Sequence, residues 1–249
     1  MYDPYAAPAA APAHAPSPIA YQDGAPQPWG VGEMMARAFD IVRGQLGAIM
    51  VFNLVYLLVA SAGGFAVGFP LALLPIDAEL RQVVVQVVSL PLTAFLVVGL
   101  VRGSLSLARG EALQIGLLFS GGGRALTMLV AQLLYGVIVA VGLVLLIVPG
   151  IVLAAGLALY PYYVAETELG PIEALKASWE ATRGRRGGMV GLSIGCAFLC
   201  VASLIALCVG FLAGMALPTV AFAVVYLRVR GADPFAPRTE IEPGPQRAW

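Results

Sequence analysis

Three groups of side chains have types and spacings from which chemistry could be built. The first is Cys196, Cys200 and Cys208; the first two stand at i, i+4, one helix face, as a metal or redox pair would. No histidine or carboxylate accompanies them in MVGLSIGCAFLCVASLIALCVG, so small packing side chains in an apolar helix account for them better. The second is Glu166 with Tyr160, Tyr162 and Tyr163, a carboxylate among phenols that could hold a cation or a lipid headgroup. The third is GPIEALKASWEATRGRRGG, residues 170–188, where Trp179 precedes Arg183, Arg185 and Arg186, guanidinium groups suited to phosphate oxygens.

Catalysis needs more than this. Gly121–Gly123 is not followed by Lys-Ser/Thr and follows no strand pattern, so it is a flexible joint rather than a phosphate loop. The single histidine, His14, stands among prolines and alanines. No nucleophile has a base beside it, and neither a metal-ligand set nor a nucleotide fingerprint occurs. The expectation is a chain that is not an enzyme and takes no cofactor and no metal.

The elements that carry these groups are apolar. Of 249 residues, 60% are hydrophobic and 11% charged, and the mean hydropathy is +0.89. Globular domains run about 45–50% apolar and about 25% charged, so lipid is the expected solvent for most of this chain. A net charge of zero argues against a nucleic-acid partner. Residues 1–30, with seven prolines and nine alanines, are expected to form a disordered tail, and residues 231–249 a second. The first tail has no basic or apolar region of a signal peptide, and its Tyr2, Tyr5 and Tyr21 offer sticky contacts.

Between the tails, residues 31–230 read as an all-α integral membrane domain of six transmembrane helices. The spans fall at about 46–69, 82–101, 125–148, 150–166, 189–212 and 214–229, with Pro149-Gly150 read as a tight turn. With both termini cytoplasmic, thirteen of the fourteen lysines and arginines lie inside and only Arg81 outside. This asymmetry predicts a multi-pass protein of the cytoplasmic (inner) membrane.

The charged stretch reads as an amphipathic interfacial helix. At 100° per residue, Leu175, Ser178, Trp179, Ala181 and Thr182 share one face, and Lys176, Glu180 and Arg183 the other. EMMARAFDIVRG, from Glu33, matches EALKASWEATRG, from Glu173, at five places: Glu33/Glu173, Phe39/Trp179, Asp40/Glu180, Arg43/Arg183 and Gly44/Gly184. A weaker third copy, EALQIGLLFSGG from Glu111, keeps the acid, an apolar Leu117 and Gly122. Each precedes two spans, which predicts three repeats of interfacial helix plus hairpin.

The run VPGIVLAAGLALYPYYVAETELGPIEALKASWEATRGRRGG, residues 148–188, resembles a bacterial pattern. Pro149, Gly150, Pro161, Glu166, Gly170, Glu173, Ala174, Leu175, Ser178, Trp179 and Gly184 carry it. It is similar to multi-span proteins described as the glycerophosphoryl diester phosphodiesterase membrane domain, and to related six-span families without an assigned activity. Those phosphodiesterases hydrolyse substrate in a separate soluble barrel with paired histidines and a carboxylate-held metal. The resemblance therefore implies a membrane component and not that chemistry.

The functional expectation is a non-enzymatic scaffold or accessory subunit. It would bind membrane lipids, anionic ones included, or a protein partner or second copy, through Trp179, Arg183, Arg185, Arg186, Phe39 and Arg43. The weaker ligand candidates are Glu166, Tyr160 and Tyr163. The alternatives are a transporter or permease component for a lipidic or apolar substrate, drawing on polar groups such as Asn53 and Gln132, and a membrane-shaping protein.

Overall fold

A computed structural model describes residues 29–205 and 207–231, with side chains outside 202–213. His14, the tail tyrosines, almost all of both tails and the Cys208 side chain lie outside the described residues. The helices are α1 Val31–Gly44, α2 Leu46–Ala72, α3 Ala78–Ala108, α4 Ala125–Leu145, α5 Ile147–Leu157, α6 Tyr160–Glu166, α7 Pro171–Ala181, α8 Arg186–Ile205 and α9 Leu207–Val229. A 3-10 turn, Ile115–Phe119, lies between α3 and α4. No strand occurs among the described residues.

Four stretches are long and apolar enough to cross a membrane: α2, α3, α4 and the interrupted Ile147–Glu166. At about 1.5 Å per residue, roughly 20 residues cross a hydrocarbon layer of about 30 Å. Their outward side chains are apolar, with Phe65, Leu126, Val144 and Ile147 exposed, a surface suited to lipid rather than water. Shorter apolar stretches cover Arg186–Val201 and Gly214–Val229 of α8 and α9.

The helices pair as hairpins, α2 on α3, α4 on α5 and α8 on α9. Between hairpins, α3 lies on α4, α5 on α8, and α9 on α2. The second helices form the interior: α3 packs against both α6 and α9, and Tyr162 of α6 donates a 2.7 Å hydrogen bond to the Thr219 carbonyl of α9. The amphipathic segments lie across hairpins other than those they precede. α7 packs on α4, α5 and α6, the 3-10 turn on α2 and α3, and α1 on α8 and α9.

Residues read as one span at 150–166 form two helices, and Pro161 is the reason. Without an N–H it cannot bond the Leu157 carbonyl, and its ring clashes there, so α5 stops at Leu157. The break frees backbone groups in the protein interior. The Leu159 N–H donates to Ser178 Oγ at 3.1 Å, and that hydroxyl donates in turn to the Gly156 carbonyl, also at 3.1 Å. Thr182 Oγ1 lies 2.9 Å from the same carbonyl. Gly156 is required at this crossing, because a Cβ there would stand 2.6 Å from the Trp179 ring.

The turn assigned to Pro149-Gly150 sits earlier, at Leu146, whose backbone is extended (φ −165°, ψ 137°). Pro149 falls in the first turn of α5, where its missing N–H has no partner to lose. Gly142 and Gly150 let the α4 and α5 backbones touch, since a Cβ on Gly142 would lie 3.1 Å from Gly150 Cα.

The third copy is not an α-helix. Gly116 and the run Gly121–Gly123 weaken helix formation, and the backbone presses into notches on α3 instead. A Cβ on Gly99 would come within 2.2 Å of the Leu118 carbonyl oxygen, and one on Gly121 within 2.2 Å of the Phe95 oxygen. The triple glycine thus begins with a close packing contact rather than a free joint. By contrast α1 and α7 bury matching positions, Met34, Ala38 and Val42 against Ala174, Ser178 and Thr182. α1 also rests on glycines: a Cβ on Gly195 would stand 2.6 Å from Met35 Sδ.

Replacing Ser178 with Ala strands the Leu159 N–H and removes one donor from Gly156. The expected cost is about 1–3 kcal/mol, read as a lowered unfolding temperature in detergent. Ser193→Ala is the control: its hydroxyl bonds only the Met189 carbonyl of its own helix, and the expected change is within about 0.5 kcal/mol.

Candidate functional site

Most charged groups gather where α3, α6 and α9 end. α3 and α9 both finish in Arg-Gly, Arg109-Gly110 and Arg230-Gly231, with the glycines at φ 78° and 66°. That left-handed conformation stops each helix and leaves its arginine at the rim. Glu166, the last residue of α6, lies between them. Its carboxylate is ion-paired with Arg109 and lies 3.5 Å from Arg230 Nη1. Arg230 also bonds the Tyr226 hydroxyl and lies near the Tyr163 and Tyr226 rings, 5.9 and 5.4 Å from their centroids. Burial pushes the Arg109 guanidinium below its ordinary pKa, a desolvation cost that the Glu111 carboxylate and Tyr226 oppose only in part.

Other arginines clamp carbonyls at or near helix ends. Arg102 donates through Nε to the Ala165 carbonyl at 3.2 Å and through Nη1 to that of Ser120 at 2.5 Å. Arg124 reaches the Leu169 carbonyl at 3.5 Å. Cations at helix C-termini also meet the negative end of the helix dipole, which favours these positions for Arg102 and Arg109. Arg228, almost wholly buried, bonds Glu33 of α1 at 2.7 Å and ties the first helix to the last.

Beside this network a cleft of about 570 Å³ opens between α6, α7 and α9. Glu180, Arg183, Arg185 and Tyr163 supply its polar lining, and Ala177, Ala181 and Val229 its apolar wall. Three sequence candidates, Tyr163, Arg183 and Arg185, therefore meet in one place. The others do not line it. Tyr160 is buried with its ring 5.0 Å from Tyr135. Trp179 lies against Gly156, covered by Arg186, whose Cζ is 3.5 Å from the ring centroid. Phe39 and Arg43 are exposed on α1. Glu166, one of the weaker ligand candidates, is paired with Arg109 and Arg230, a latch between the ends of α3 and α9.

The latch arginines, Arg109 and Arg230, were missed as a pair. Their signal was the shared Arg-Gly at the ends of two apolar runs. Asn53, Ser104 and Thr219 share a nook of about 10 Å³ between α2, α3 and α9, space for about one water. Cys200 Sγ lies 3.6 Å from the Gly214 carbonyl, a contact across the α8–α9 hairpin, and Cys196 is buried. Among the described residues no three His, Cys, Asp or Glu side chains converge. Comparison with family models, with curated proteins and with solved structures finds no match.

Glu166→Gln leaves two mostly buried arginines facing each other. The expected loss approaches the roughly 3–5 kcal/mol of a broken buried pair, visible as a large fall in unfolding temperature. Glu33 is itself 54% exposed but its partner Arg228 is almost wholly buried and keeps a neutral acceptor in Glu33→Gln, so that change is expected to cost an intermediate amount, about 1–3 kcal/mol.

Proposed function

We propose that the chain is a non-enzymatic, six-span protein of the cytoplasmic membrane with both termini inside. In this reading it acts as a scaffold or accessory subunit that binds lipids or a partner at its cytoplasmic end. The observation that carries the proposal is the convergence of arginine-bearing helix ends beside a cleft of about 570 Å³. The opposite end of α3 carries only Asp77, Glu79 and Arg81. A basic face next to an anionic leaflet attracts headgroups at about 1 kcal/mol per residue. The resemblance of residues 148–188 to a membrane domain, rather than to a catalytic barrel, agrees with this.

The packing also supports three repeated units. Each hairpin lies on the next and the last on the first, through α3–α4, α5–α8 and α9–α2. Each preceding segment lies on the hairpin before it, and α1, with none before it, closes the ring on α8 and α9. The matched burial of α1 and α7 adds a second line of support. The third unit has kept the position of its first segment and lost its helix.

Mild-detergent purification of the full chain, with mass spectrometry of what accompanies it, tests the reading. Anionic lipid or a defined partner is expected to co-purify; a chain running alone at background would end the scaffold reading. Cysteine placed at Asp77 is expected to react with an impermeant thiol reagent from outside, and one at Lys176 only after the membrane is opened. Substrate-dependent flux in proteoliposomes, lost on replacing Asn53 or Gln132, would instead favour the transporter.

A further inference from the structure

The half of α3 farthest from the arginine cluster carries carboxamides that its own chain leaves unbonded. We propose that this face of α3 is where two copies of the chain meet within the membrane, the Gln86 side chains of the two copies bonding each other across a twofold axis. The inference goes beyond the reading above and rests only on α3 crossing the membrane.

Depth and polarity come first. Residues 82–101, between Arg81 and Arg102, carry no charge, and they make about 30 Å of helix at about 1.5 Å per residue, the thickness of a hydrocarbon layer. Gln86 stands about 7 Å inside Arg81 along this run. Its side chain is exposed, as is that of Gln82 one turn nearer the end, and neither has a hydrogen-bond partner among the described residues. The Thr93 hydroxyl, by contrast, is satisfied within its own helix, donating to the Ser89 carbonyl at 3.0 Å. Pro91 has no N–H to offer the Val87 carbonyl, which adds an acceptor close to Gln86. An acyl chain supplies neither donor nor acceptor, so lipid is a poor neighbour for this surface.

The spacing then gives the shape of the contact. Val83, Gln86, Leu90, Thr93 and Val97 recur at alternate steps of three and four, the seam of a two-helix coiled coil. Val83 and Gln86 are exposed; from Leu90 inward the stripe is half-buried, and Val97 packs on the core of its own chain. The free part is therefore the two turns from Val83 to Leu90. α2 holds a different side of α3, where Leu92 lies against Gly63 and Val85 against Gly68. The next seam position outward, Glu79, stands beyond Arg81 in water, where repulsion between like charges is screened.

The occupant follows from symmetry. A membrane protein is inserted in one orientation, so a given residue of a second copy lies at the same depth without adjustment. A carboxamide both donates and accepts, and a twofold axis along the membrane normal lets an identical pair exchange both bonds. A polar residue on an otherwise apolar seam also fixes its register.

The test uses the full chain in its membrane. Val83→Cys is expected to give a disulfide-linked dimer on mild oxidation. Val88→Cys, on the opposite side of α3 and also exposed, is expected to give none above the parent, whose own cysteines set the baseline. Gln86→Leu is expected to weaken dimerisation about tenfold, read by single-molecule photobleaching in liposomes over a dilution series. An unfolding temperature near the parent's establishes that this variant folds, and the cysteine comparison decides the face without altering Gln86.

A parent chain that is monomeric at every dilution, equal linkage through the two cysteine positions, or unchanged dimerisation of folded Gln86→Leu would overturn the proposal. Linkage of Val83→Cys to a different protein, with no self-linked band, would overturn it by giving the face to another chain. Each of these outcomes leaves the reading of the arginine-rich end standing. Failure of lipid or partner to co-purify at that end leaves the dimer standing.

Discussion

The architecture at the charged end depends on one hydroxyl. Pro161 breaks an apolar stretch inside the protein, and in such surroundings an unpaired backbone group has no water to turn to. Ser178, fully buried on α7, accepts from the Leu159 N–H and donates to the Gly156 carbonyl. The break therefore dictates where α7 lies, and Gly156 fixes how closely Trp179 approaches. Because α7 ends at Ala181 and the chain turns at Gly184, the same hydroxyl positions Arg183 and Arg185 over the cleft. A serine and a proline seventeen residues apart thus decide where two arginines stand.

Helix α1, whose sequence matches that of the segment carrying α7 at five places, shows what changes when nothing needs repair. α1 puts Ala38 and Val42 where α7 has Ser178 and Thr182. It rests on α8, where glycines permit close approach, and on α9, and this contact involves no break comparable to Pro161. Burial in register is shared; the polar atoms are not. The pattern common to both helices is the packing surface, and the hydroxyls belong to the interruption that α7 covers.

How much could be read in advance follows from the range of each interaction. The apolar runs, α1 and α7 with their buried faces, and the end where charge collects are all written in local patterns of composition and period. The Leu146 turn was misplaced because Pro and Gly are turn signals, yet Pro149 serves equally well in the first turn of a helix. The third copy misled because its acid and apolar positions survive while Gly116 and the glycine run remove its helix. The two Arg-Gly helix ends are legible but their pairing is not: Arg230 and Glu166 are 64 positions apart, and no periodicity connects residues at the ends of different helices.

That distance also separates two uses of arginine that a count of charges merges. Under the proposed topology every arginine on this side contributes to orientation during insertion. In the folded chain Arg102 and Arg124 hold carbonyls, Arg109 and Arg230 hold Glu166, and Arg228 holds Glu33. Each of these has its guanidinium committed to a partner within the protein, and moving it would expose a helix end or strand a carboxylate. Arg183 and Arg185 differ in position, flanking the Gly184 turn between the end of α7 and the start of α8, where both line the cleft. The same residue type therefore secures helix ends at some positions and lines an open cleft at others, a difference set by where each helix stops.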